Sequence, residues 1–163
     1  ADSEAFPPTR ETLDLTTWLL QEEPVWRNRY GRADDWRFEL PLPGAALVEV
    51  QPALLGQLLE NLLANAFAYS TTGQRVTVRL VVDEVQVRLS IIDQGPGLSP
   101  EELKTIFIPF VRLRVAREPQ KRGVGLGLSI AQRLAKALSA TLQVESQLGQ
   151  GSCFTIVFPR VRS

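Results

Sequence analysis

The sequence predicts an α+β fold: a two-layer sandwich in which helices cover one face of a mixed, mostly antiparallel sheet. Three observations predict it. The runs "RVTVRLVV" and "VQVRLSIID" set Val76, Val78 and Leu80 against Val87, Leu89 and Ile91 with "DE" between them, the pattern of an antiparallel strand pair with one buried face. From Leu54 to about Tyr69, Leu55, Leu58, Leu59, Leu62 and Ala66 recur at three- and four-residue spacing, one apolar stripe of a helix. The strands "TLQVES" and "CFTIVFP", joined by "QLGQG", close the chain.

The remaining elements follow in order. Residues 1–14 are polar with a proline pair and are expected to be a leader or linker, the folded domain running from 15 to 163. "LDLTTWLLQEEPVWRNRY" reads as a helix with Leu15, Trp18 and Leu19 on one face, and "WRFELP" as a strand that alternates Trp36, Phe38 and Leu40. "PLPG" and Pro52 punctuate the way to the next helix. In "LSPEEL" Ser99 suits a helix cap, Pro100 the first helical position, and Glu102 completes a capping box. A helix from about Gly127 to Leu138 places Leu128, Ala131, Leu134 and Leu138 on one side. Ahead of it, "VRLRVAREPQKRG" has no apolar period and holds Arg112, Arg114, Arg117, Lys121 and Arg122, so it reads as a long loop of the kind that serves as a lid or binding loop.

Composition narrows the function classes. The 163 residues suit a single domain, 44% hydrophobic and 22% charged, as ordinary globular chains are. Eighteen basic and eighteen acidic residues cancel, which removes the simplest electrostatic argument for nucleic acid. No run approaches the ~18 apolar residues of a membrane span, so the chain is expected to be cytoplasmic and free of direct membrane contact. It begins without Met, as a fragment of a longer protein would. Cys153, alone, cannot form an intrachain disulfide and reads as a small buried hydrophobe within its strand. Histidine is absent, which excludes histidine dyads, triads and metal sites within the chain.

Three short segments carry chemistry. In "ENLLANAFAYS", Asn61 and Asn65 are four residues apart and share a helical stripe; amide oxygens are hard ligands of the kind Mg²⁺ accepts beside phosphate and water, although solvent-facing asparagines share that spacing. In "IIDQGPGLS", Asp93 ends an apolar strand and Gly95 and Gly97 follow. Such a carboxylate can accept from the exocyclic amine of adenine, where guanine presents a carbonyl, while glycines let a flat ring approach the backbone; a plain Asp-Gly turn is the simpler alternative. In "GVGLGLSIA", Gly123, Gly125 and Gly127 leave backbone N–H groups free to converge on phosphate at a helix start. This segment does not follow a strand, and no "GxxxxGK[ST]" occurs, so neither the dinucleotide fingerprint nor the P-loop applies.

Taken in order, these segments make the chain resemble the catalytic ATP-binding domain of sensor histidine kinases, in the superfamily that also holds type II topoisomerases, ninety-kilodalton heat-shock chaperones and mismatch-repair ATPases. "NLLANAFAYS" is similar to the family's N box, "DQGPG" to its G1 box, "IFIPFVR" (106–112) to its F box, "GVGLGLSIA" to its G2 box, and "GQGSCFTIVFP" (149–159) to its closing glycine segment and last strand. The resemblance covers residues 54–159 closely and implies a Bergerat-type fold. It implies that Asn65 is the Mg²⁺ ligand, Asn61 a phosphate or metal-water contact, and Tyr69 a lid or nucleotide neighbour. Asp93 reads the adenine amine, with Gly95 and Gly97 shaping that pocket, and Ser152 is a further cofactor contact. Phe107 and Phe110 pack the lid hinge, or are plain core aromatics, and Arg112 reaches the γ-phosphate. Lys121, Arg122, Gly123, Val124, Gly125, Leu126 and Gly127 border the triphosphate under a lid of about residues 111–122.

Two departures stand out. The family often has Lys three residues after the metal asparagine, where this chain has Ala68. Water-activating members of the superfamily carry Glu four residues before that asparagine, where this chain has Asn61; the adjacent Glu60 is turned away by roughly 100°. A site without a base for water favours phosphoryl transfer over hydrolysis. The resemblance thus implies a kinase using ATP and Mg²⁺, whose acceptor histidine lies on an upstream dimerisation domain and whose next partner is a response regulator. It further implies a homodimeric parent protein, soluble or membrane-anchored, and a monomeric fragment. The alternatives are a serine kinase or ATPase of the same fold and a degenerate nucleotide-binding docking module.

Overall fold

The computed structural model describes residues 9–108 and 124–162, with backbone only for 124–127. Among the described residues, seven strands and four helices follow in the order β1 (Glu11–Asp14), α1 (Leu15–Tyr30), β2 (Trp36–Glu39), β3 (Leu47–Val50), α2 (Pro52–Tyr69), β4 (Val76–Val82), β5 (Gln86–Asp93), α3 (Pro100–Thr105), α4 (Val124–Ala137), β6 (Thr141–Gln147) and β7 (Gly151–Pro159). A 3-10 turn, Ala33–Asp35, precedes β2. Five strands form one sheet in the order β2-β4-β5-β7-β6, with β2 parallel to β4 and every other pair antiparallel. The fold is therefore α+β with a mixed sheet, as the hairpin patterns predict.

Strand alternation decides which face is covered. Val76, Val78 and Leu80, Val87, Leu89 and Ile91, and Phe154, Ile156 and Phe158 are all buried, and the stripes of α2 (Leu55, Leu58, Leu59, Leu62, Ala66) and α4 (Leu128, Ala131, Leu134, Leu138) are buried in the same core. Each such Leu, Ile or Phe contributes about 1.5–3 kcal/mol by leaving water. The residues out of phase with them, among them Arg79, Arg88 and Ser90, line the opposite face, where Ser90 Oγ lies 2.7 Å from Thr155 Oγ1. Cys153 falls in this second set. It is partly exposed, with Sγ 3.6 Å from Thr155 Oγ1, and so is not the buried hydrophobe that its strand suggested.

Two boundaries differ from expectation. β1 pairs antiparallel with β3 in a separate two-stranded sheet, Glu11 opposite Val50 and Asp14 opposite Leu47, so the folded unit includes residues 11–14 of the expected leader. "ETLD" holds one apolar residue, Leu13, and so shows no alternation. α4 begins at Val124 instead of Gly127, placing Gly125 and Gly127 inside its first turn. Ser99 and Glu102 form the expected reciprocal capping box on α3, and Asp14, within the expected leader, caps α1 by accepting from the Thr17 N–H.

α2 is anchored at its C-terminal end by Arg32. This residue has a left-handed backbone (φ 53), directly after Gly31 (φ 63), a conformation that costs a residue with a Cβ about 1–3 kcal/mol. Its guanidinium donates to the carbonyls of Thr71 (2.8 Å) and Gln74 (3.0 Å), approaches those of Phe67 and Ser70 (3.4 Å each), and pairs with Asp35 at 2.7 Å. The last carbonyls of a helix have no intrahelical donor, and a cation there also suits the helix dipole. Rings add to the anchor: Tyr30 stacks on Phe67 at 5.1 Å, and Trp36 lies 4.7 Å from Phe67.

Arg32→Ala is expected to lower unfolding stability by about 2 kcal/mol or more, because charged hydrogen bonds are lost and carbonyls are left unpaired; a chemical denaturation midpoint unchanged from wild type contradicts the anchor. Gly151→Ala is expected to cost about 2–5 kcal/mol: its φ is +88, and a Cβ would run into the carbonyl oxygen of Asp93. Thermal unfolding of that variant at wild-type temperature rules out the close approach.

Candidate functional site

The site gathers where α2, the loop after β5, and the β6–β7 hairpin meet. Sheet register sets its floor: Asp93 of β5 lies opposite Ser152 of β7, which lies opposite Ser146 of β6. The hairpin is tied to the loop by the Gly149 N–H donating to the Pro96 carbonyl at 2.8 Å and the Leu98 N–H donating to Ser146 Oγ at 2.8 Å. Gly97 (φ +74) sits so close to Gln147 that a Cβ would enter its carbonyl oxygen, and a Cβ on Gly95 would lie 2.7 Å from the Tyr69 carbonyl oxygen. Gly95 and Gly97 are thus required first for chain-on-chain contact, a different reason from the approach of a flat ring.

Asp93 is 6% exposed. One carboxylate oxygen accepts the Gly95 N–H at 2.9 Å, and the Ser152 backbone N–H donates to the carboxylate as well. Burial nevertheless outweighs both bonds and pushes its pKa up to about 6. A carboxylate has about four lone-pair sites, so capacity remains for a further donor.

Asn65, Tyr69, Asp93, Pro96, Gly97, Leu98, Ser152 and Phe154 line one narrow crevice. A wider open cleft of about 460 Å³ adjoins it, and Asp93 and Ser152 border both. Two polar atoms in the crevice are buried without a hydrogen-bond partner: Asn65 Oδ1 and the Tyr69 hydroxyl. Leaving such an atom unpaired costs about 1–3 kcal/mol, which makes each a candidate contact for a ligand. Burial, and secondly the Glu102 carboxylate, raise the Tyr69 phenol above its ordinary range, so it stays a neutral donor.

Asn65 Oδ1 is the kind of ligand that Mg²⁺ takes, and its lack of a protein partner fits that role. Among the described residues no three His, Cys, Asp or Glu side chains converge into a metal cluster. Asn61, one turn earlier, is half-buried and is not among the residues lining the crevice. Glu60 is turned away as its helical phase requires, paired with Arg29 and accepting from the Tyr30 hydroxyl at 3.0 Å. Phe107 is partly buried against the core, in line with a packing role.

α4 packs along α2, and its first turn holds Val124, Gly125, Leu126 and Gly127. First-turn N–H groups lack intrahelical acceptors and are suited to anions. Phe110, Arg112, Lys121, Arg122, Gly123 and the lid at 111–122 lie outside the described residues. The sequence reading missed Ser146. Its signal was a hydroxyl in phase with Leu142 and Val144 on the half-buried stripe of β6. It also missed Arg32, for which no local pattern exists.

Known proteins share both sequence and fold with this chain. "Sensor histidine kinase RppB" of Synechocystis sp. is 41% identical over 105 residues, 64% of this chain and 23% of that protein. "Adaptive-response sensory kinase SasA" of Synechococcus elongatus is 39% identical over 146 residues, 88% of this chain and 37% of its own length. The chain therefore spans well under half of these relatives. A mycobacterial structure, sensor histidine kinase MprB, superposes with a TM-score of 0.74 at 31% identity, covering 94% of this chain and all of that one. Among the described residues no helix is long and apolar enough to cross a membrane. Residues 50–162 match the family described as "Histidine kinase-, DNA gyrase B-, and HSP90-like ATPase", the family to which the chain belongs, and the relatives and the structure that it resembles are sensor histidine kinases.

Proposed function

We propose that the chain binds Mg·ATP and presents its γ-phosphoryl group to a histidine on a separate dimerisation domain of the parent protein, a response regulator aspartate receiving it next. The observation that carries the reading is the pair of Asn65 Oδ1, buried and unpaired, and the buried Asp93 carboxylate across the same crevice. Asp93 accepts from the adenine amine, and Tyr69 donates its hydroxyl proton to the bound nucleotide. Asn65 holds Mg²⁺, which when bound neutralises charge on the phosphate oxygens. The first-turn amides of α4 and the basic residues Arg112, Lys121 and Arg122 are assigned to the phosphates.

In the reaction an imidazole nitrogen forms a bond to the γ-phosphorus as the bond from that phosphorus to the β,γ-bridging oxygen breaks, and ADP leaves. The chain has no histidine, so the acceptor is supplied from elsewhere. Glu60, the acidic side chain next to Asn61, is engaged by Arg29 and Tyr30 and is not free to activate water. That favours transfer over hydrolysis, since catalysis is then positioning and charge neutralisation alone.

Asn65→Ala is expected to abolish the Mg²⁺-dependent part of ATP affinity, at least about tenfold in Kd by calorimetric titration with and without Mg²⁺; an unchanged Mg²⁺ dependence removes Asn65 from the metal. The pH dependence has a definite sign. With its folded pKa at about 6, above the ordinary value of about 3.9, Asp93 contributes stability below the ordinary value that is lost as pH rises through about 6. Binding of the adenine amine runs the other way, because the carboxylate is the better acceptor. ADP affinity of the wild-type chain, measured relative to Asp93→Asn so that the nucleotide's own titration cancels, is expected to fall as pH drops from about 7 to 5. Parallel pH profiles for the two proteins contradict the assignment of Asp93.

A further inference from the structure

Behind the base-reading carboxylate lies a side chain that no part of the proposed function uses. Ser146 Oγ makes three hydrogen bonds: with the Leu98 N–H at 2.8 Å, the Gly151 carbonyl at 2.9 Å and Ser152 Oγ at 2.8 Å. A serine hydroxyl has one proton and two lone pairs. The Leu98 N–H can only donate and the Gly151 carbonyl can only accept. The one proton of Ser146 therefore goes to Gly151, and both its lone pairs receive, one from Leu98 and the other from Ser152. The direction of the last bond follows: Ser152 is the donor, and its remaining lone pairs are left as acceptors.

We propose that Ser146 is a positioning residue for base selection, which fixes the Ser152 hydroxyl as an acceptor so that Asp93 and Ser152 present acceptors side by side to the six-position of a purine. This rests on the reading of Asp93 given above and deepens it. An exocyclic amine, as in adenine, meets two acceptors and is bound; a carbonyl, as in hypoxanthine, meets the same two and is repelled. A lone serine at position 152 rotates its proton toward either group, so it discriminates only when something behind it takes that proton. Ser146 does so while holding Leu98, which lines the same crevice. A polar group unable to adapt rejects a mismatched ligand more strongly than one that can.

The test uses the whole chain and two probes, ADP and inosine diphosphate, with Kd measured by calorimetry. Wild type is expected to prefer ADP by at least about a hundredfold, and Ser146→Ala to narrow that ratio by about tenfold, chiefly by admitting inosine diphosphate. Ser146→Thr keeps the hydroxyl and the ratio. Ser146→Cys, close in size with a weakly bonding thiol, shows the same narrowing and stands in if the alanine variant does not fold. Combining Ser146→Ala with Ser152→Ala is expected to narrow the ratio no further than Ser152→Ala alone, since both act through one hydroxyl. Amide hydrogen exchange at Leu98 speeds up in the nucleotide-free alanine variant. The inference is overturned if the ratio is unchanged in the alanine and cysteine variants, if both nucleotides weaken equally, or if the two substitutions add. A wild-type chain that binds both nucleotides alike overturns the underlying assignment of Asp93 instead, whatever Leu98 shows.

Discussion

The buried carboxylate of Asp93 is the constraint on which the rest of the site depends. A charge that deep is costly unless hydrogen bonds meet it, and here two backbone N–H groups, of Gly95 and Ser152, converge on it. Around it the chain is packed so closely that three glycines have no room for a side chain: Gly151 against the Asp93 carbonyl, Gly95 against that of Tyr69, and Gly97 against that of Gln147. The same seam is stitched further by Ser146, Pro96 and Gly149. What the fold obtains from this arrangement is an acceptor held at a sheet end, its pKa pushed up to about 6 by burial.

Opposite that fixed point stands α2, and its placement is long-range. The aromatic contacts of Phe67 with Tyr30 and Trp36 fix its back, Glu60 is tied to α1, and Arg32 gathers the carbonyls that follow its last turn. Asn65 and Tyr69 are thereby presented with one polar atom each buried and unpaired. A helix held on three sides keeps such atoms aimed at a ligand instead of relaxing toward a protein partner. Rigidity of the surroundings is what keeps the unpaired atoms available.

Much of this was legible from the residues. The leucine stripe of α2, the alternation of β4 and β5, and the Ser99–Glu102 box are local patterns, and local patterns survive into the fold. Asp93 could be singled out because a carboxylate ending an apolar strand before two glycines falls between the asparagine helix and the glycine-rich segment in the order that the resemblance requires. The glycines themselves were legible as necessary, yet for Gly95 and Gly97 the reason given by the fold is contact with Tyr69 and Gln147, which lie far away in sequence. Arg32 was invisible for the same reason: its carbonyl partners lie 35 to 42 residues on. Ser146 left only the mark of a hydroxyl on a half-buried stripe, and the direction of its hydrogen bonds depends on three partners from two other segments.

Donation of the γ-phosphoryl group is the central claim, and one transfer assay meets it directly. The chain is mixed with γ-labelled ATP, Mg²⁺ and the histidine-bearing dimerisation domain of its parent protein, and label on that domain is followed through acid and alkali treatment. The account predicts label that is acid-labile and alkali-stable, as phosphohistidine is, that fails to form with Asn65→Ala. Nucleotide binding with no labelled domain, or acid-stable label of the phosphoserine kind, contradicts it.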